Sequence, residues 1–124
     1  MPTILVADDS NTQVQAYTNM LEKHGFQIVV ANNGEAAVAA AIEHKPDLIL
    51  MDIVMPGIDG FQATRKITRN PDTANIPIVM ISTKGQQTDK IWGLRQGAKD
   101  YLIKPVTETT LLAKIKSILH QGEK

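Results

Sequence analysis

The stretch DLILMDIVMPGIDG, residues 47–60, decides the fold. After its opening acid the segment Asp47 to Met51 is nearly continuous apolar residue, which is how a strand covered on both faces reads. It breaks off at Asp52. A Met55-Pro56-Gly57 loop follows, and a helix from about Gly60 carries Phe61, Thr64 and Ile67 inward until Asn70-Pro71 ends it. The same sentence structure, an apolar run, a chemically useful residue and then a helix, recurs along the whole chain. ILVADDS ends at Asp8 and Asp9, IPIVMIS at Ser82, and DYLIK at Lys104. The run Gln27 to Ala31 ends at Asn32, without a charge.

Between these runs lie helical patterns. Val14, Tyr17 and Leu21 recur at i, i+3, i+7, and Gly25 suits a left-handed cap. After the turn Asn32-Asn33-Gly34 comes an alanine-rich helix expected to turn Val38, Ala41 and Ile42 to the core and to stop before Pro46. A fourth helix is expected from about Gln87 to Gln96, ending at Gly97. A last one carries Leu111, Leu112, Ile115, Ile118 and Leu119 along one stripe. The predicted strands are Thr3 to Ala7, Gln27 to Ala31, Asp47 to Met51, Pro77 to Ser82 and Asp100 to Ile103.

Five strand-then-helix repeats with right-handed crossovers give a doubly wound α/β fold with a five-stranded parallel sheet. The flavodoxin-like (βα)5 order 2-1-3-4-5 is one of two common solutions. It makes strands 1, 3, 4 and 5 neighbours and leaves the uncharged second strand at the edge. Ligands in such sheets bind outside the carboxyl ends of the strands. Asp8, Asp9, Asp52, Ser82 and Lys104 are therefore expected to converge there.

The chain has 124 residues, a 43% hydrophobic fraction, zero formal net charge and no cysteine. One domain spanning 1–124 is expected, with no output domain. Thiolate chemistry is excluded, no basic footprint for nucleic acid is present, and no apolar stretch reaches the length of a membrane span. The N-terminus lacks the pattern of a signal peptide, so a cytoplasmic protein is the expectation; a monomer is expected separately.

Two carboxylates ~4 Å apart repel by roughly 4 kcal/mol at an effective dielectric near 20. The trio Asp8, Asp9 and Asp52 must raise its pKa values or hold a cation. Oxygen ligands without His or Cys favour a hard ion, and few carboxylates with open positions suit Mg2+. A carboxylate can accept a phosphoryl group as an acyl phosphate, and a metal and an ammonium can neutralise the equatorial oxygens. Asp52, on the central strand, is the candidate nucleophile. Asp8 and Asp9 would serve the metal, Lys104 would neutralise charge, and Ser82 would donate to a phosphoryl oxygen. Lys104-Pro105 can be cis or trans on the sequence alone.

At these residues the chain resembles response-regulator receiver domains of the CheY type. The markers are DDS at Asp8 to Ser10, MDIVMPGIDG around Asp52, IST ending the fourth run and YLIKPV around Lys104, all in order from Thr3 to about Leu119. The resemblance implies that a CheA-like histidine kinase phosphorylates Asp52. It implies Mg2+ held by Asp9, Asp52 and the Val54 carbonyl, with Asp8 acting largely through water. It also implies that Ser82 and Tyr101 move toward the phosphoryl group as switch residues, and that Lys104-Pro105 is cis. A downstream protein would then read the face made by helix 4, strand 5 and helix 5. Val54 and Lys84 occupy positions that tune phosphoryl lifetime in such domains. The strings GFQATRKIT and TDKIWGLRQGAKDYLIKPV further resemble stand-alone PilH-type receivers of twitching-motility chemosensory systems.

Competing readings are a Mg2+-dependent acyl-phosphate phosphatase, a phosphate sink that drains a shared kinase, and a flavodoxin-like cofactor carrier. The first lacks a cap to enclose a substrate. The last lacks a hydroxyl- and glycine-rich loop after the first strand. Trp92 would be a partner anchor if exposed. His24, His44 and His120 form no metal pattern. Arg65-Lys66 and Lys114-Lys116 read as solvated faces.

Overall fold

The computed structural model describes residues 1–83 and 85–121. The elements run β1 Thr3–Ala7, α1 Asn11–Glu22, β2 Gln27–Ala31, α2 Gly34–His44, β3 Leu48–Met51, α3 Gly60–Arg69, β4 Ile78–Ser82, α4 Gln87–Arg95, β5 Asp100–Ile103 and α5 Glu108–Gln121. All strand pairs are parallel, in the order β2-β1-β3-β4-β5. This is the flavodoxin-like order expected from the sequence. Lys84 lies outside the described residues.

Period-2 alternation splits the strands between two cores. Leu5, Ala7, Ile49, Met51, Ile78 and Met80 meet Ala37 and Ala41 of α2 and Ala63 and Ile67 of α3. Ile4, Val6, Leu48, Leu50, Val79 and Ile81 meet Tyr17 and Leu21 of α1 and the α5 stripe from Leu111 to Ile118. Helices thus cover both faces, which is why the central strands are solidly apolar. Each fully buried aliphatic side chain stabilises by roughly 1.5–3 kcal/mol.

Local chemistry fixes the helix starts. Ser10 accepts from the Gln13 amide and Asn33 from the Ala36 amide. Asp59 and Gln62 form a reciprocal capping box at α3, satisfying two donors that the first turn leaves orphaned. Gly25 at φ +90 and Gly97 at φ +112 follow α1 and α4 in the left-handed region, where glycine is unstrained.

Two expectations need correction. Ile42 is 41% exposed, and Ala37 takes the inward place beside Ala41. In an alanine-rich helix the apolar stripe is too broad for periodicity to choose its centre. Gly34 is the first helical residue, and Asn33 is its cap.

Candidate functional site

The parallel ladder runs one step beyond the strands and pins the backbones of the site residues. The Asp8 amide donates to the Ala31 carbonyl at 3.0 Å, the Asp52 amide to Ala7 at 2.9 Å, and the Lys104 amide to Ser82 at 2.8 Å. Ala7 is in register with Met51, Met51 with Met80, and Ser82 with Ile103. Residues that end β1, β3, β4 and β5 therefore meet at one sheet edge.

Lys104 Nζ lies 3.2 Å from Asp8 Oδ2 and 3.4 Å from Asp52 Oδ1. The other Asp8 oxygen accepts the Ser10 amide at 2.9 Å, so Asp8 is held from two sides and is 2% exposed. Asp9 is exposed and Asp52 half-buried. One carboxylate oxygen from each of Asp8, Asp9 and Asp52 lies within 4.8 Å of the other two. Octahedral Mg2+ holds oxygens at about 2.0–2.1 Å, so opposite ligands stand about 4.2 Å apart. A hard cation therefore fits this all-oxygen donor set with a small contraction.

Burial, and then the nearby Asp8 carboxylate, push the Asp52 carboxyl above its ordinary range; Lys104 only partly offsets this. Burial alone would pull the Lys104 ammonium down. Asp52 and Asp8 outweigh it and hold the pKa above the usual lysine value. The pocket thus carries more negative charge than one ammonium neutralises.

Ser82 is 1% exposed and Tyr101 4% exposed. Burial raises the Tyr101 phenol, and a hydrogen bond with Ser82 opposes that rise. Tyr101 is therefore not the half-buried sheet aromatic that its place in β5 allows; its ring is packed in the core with Met80. Val54 lies in the loop after β3 and is 60% exposed. That loop is closed by the Gly60 amide donating to Ile53 at 2.7 Å. Gly60 also abuts the Asp52 carbonyl so closely that a Cβ would not fit. The Lys104-Pro105 bond is cis. A cavity of about 420 Å3 opens beside Lys104, with Tyr17, Met20, Thr83, Pro105 and Val106 in its wall.

The response regulator receiver domain pattern matches residues 4–116. The chain belongs to this family. The receiver is 56% identical over 119 residues to protein PilH of Pseudomonas aeruginosa, covering 96% of this chain and 98% of that one. It is 38% identical over 119 residues to the phosphate regulon transcriptional regulatory protein PhoB of the same organism. That match covers 96% of the receiver but 52% of PhoB. Among solved structures, the receiver domain of sensor histidine kinase PA1611 from Pseudomonas aeruginosa PAO1 superposes with a TM-score of 0.89. The identity is 28%, covering 96% of this chain and 98% of that one, and that structure has a magnesium ion coordinated in its active site cleft.

Some contacts between elements were not visible in the sequence. Glu35, in the first turn of α2, reads as an ordinary N-terminal acid. In the fold its carboxylate accepts the Ile58 amide at 3.2 Å. Arg65 and Lys114 are not simply solvated. Arg65 Nε donates to Gln96 at 2.7 Å, and Lys114 pairs with Asp100 at 2.5 Å. His24 and Lys23 at the end of α1 both reach Glu108 at the start of α5.

Proposed function

We propose that this receiver is a phosphorylatable switch, with Asp52 as phosphoacceptor for a CheA-like histidine kinase. The single observation behind this reading is the convergence of Asp8, Asp9, Asp52 and Lys104 at one sheet edge. A carboxylate oxygen of Asp52 attacks the phosphorus of a phosphohistidine, a P–O bond forms, the P–N bond breaks, and the imidazole departs. Lys104, already between Asp8 and Asp52, balances charge on the incoming oxygens. Asp8, Asp9, Asp52 and the Val54 carbonyl would hold Mg2+, which supplies further charge neutralisation. Ser82 and Tyr101 respond to the new phosphoryl group.

The output is a change of protein-binding surface, not turnover of an external substrate. Ile91, Trp92, Leu94 and Ile103 are 42–51% exposed near α4 and β5, which supports a docking face there. The match to PilH over 98% of that protein's length supports a stand-alone regulator in a twitching-motility chemosensory pathway. Mg2+ and acetyl phosphate should raise the intact mass by one phosphoryl group, and the D52N variant should show no increase. Equal labelling of both proteins would refute the assignment.

A further inference from the structure

The β3–α3 loop carries the Val54 carbonyl, and its far end is held by α2, an element with no part in the acid cluster. The Ile58 amide donates to Glu35 Oε1 at 3.2 Å. A Cβ on Gly57 would stand 2.5 Å from Glu35 Oε1 and 2.6 Å from Oε2, so the carboxylate lies flat against the loop at the glycine. Gly57 has φ +76, which lets the chain turn there without strain. On the other side, Gly34 packs so tightly on the Ile58 carbonyl that a side chain there would collide. The Ile58 peptide is therefore gripped through its N–H by Glu35 and through its carbonyl side by Gly34. The Gly60 to Ile53 hydrogen bond closes the same loop.

We propose that Glu35 is a positioning residue for the metal. Its hydrogen bond to Ile58 fixes the loop in the form that presents the Val54 carbonyl, so less ordering is required when the cation binds. This rests on the metal site of the proposed function. Glu35 acts through the loop as a hydrogen-bond acceptor. An alternative is that its negative charge attracts the cation at a distance. The two differ for glutamine, whose amide oxygen still accepts from Ile58 but carries no charge.

Calorimetric titration of Mg2+ into wild type, E35A and E35Q separates them. A hydrogen bond of this kind has a net worth that corresponds to about three- to tenfold in affinity. E35A should bind Mg2+ more weakly by about that factor, and E35Q should bind nearly as wild type does. Amide exchange at Ile58 should speed up in E35A and stay slow in E35Q. Wild-type affinity in E35A would overturn the proposal, as would an equal loss in E35Q. Failure of wild type to bind Mg2+ would instead sink the metal site itself.

Discussion

Gly93 of α4 leaves the space that the ring of Tyr101 fills. A Cβ at Gly93 would stand 3.1 Å from Tyr101 Cδ2 and 2.8 Å from Met80 Sδ. Only Gly93 among the residues of α4 is buried, so the helix approaches the sheet through its one position without a side chain. The G93A variant gains about 1 kcal/mol of helix propensity but overpacks the contact, at about 1–3 kcal/mol. Net destabilisation of up to about 2 kcal/mol should appear in urea denaturation. Tyr101 should become more accessible, as read by solvent perturbation of its absorbance.

Asp52 predicts a stabilising substitution. Its pKa is raised above the ordinary 3.8 chiefly by burial. The protonated form is thus favoured by folding: its contribution is full below 3.8 and is lost as pH rises through the raised value. At neutral pH and without divalent metal the ionised group is a cost. D52N should therefore have a higher urea midpoint than wild type at pH 7. The gap should close on acidification below the ordinary aspartate range.

Lys104 predicts the opposite sign. Its folded pKa is raised, so its stabilisation is fully present below the ordinary lysine value of 10.5 and is lost only as pH rises through the folded value. The ammonium is 15% exposed between the buried Asp8 and half-buried Asp52 carboxylates. K104M should cost about 1–3 kcal/mol at pH 7, measured by denaturant unfolding. That deficit should persist across the neutral range and shrink only in strong alkali.

Mg2+ should raise the melting temperature of wild type. At a free concentration 100 times the dissociation constant the stabilisation is about 2.7 kcal/mol. D9A removes an exposed carboxylate of the acid cluster and should fold normally yet lose most of this shift in a thermal melt with and without the ion.

The strands and the acid, hydroxyl and lysine positions were legible because each is written locally. An apolar run ending in Asp, Ser or Lys is the same signal whichever strand carries it. Periodicity leaves the strand order open between two common topologies, and the parallel register brings these ends together. Ile42 was misplaced because alanine gives a helix no sharp apolar face. Glu35, Arg65 and Lys114 went unread for another reason. Their partners lie on other elements, and a charged residue on an amphipathic helix looks solvated until the neighbouring element is in place. A tyrosine on β5 reads as a half-buried sheet aromatic by its place alone; the space left by Gly93 lets the ring sink to 4% exposure.

Asp8 and Lys104 stand 96 positions apart, and the last component of the pocket arrives with the final strand. Without Lys104, Asp8 and Asp52 would face each other with no ammonium between them. The charge balance of the pocket therefore depends on completion of the sheet.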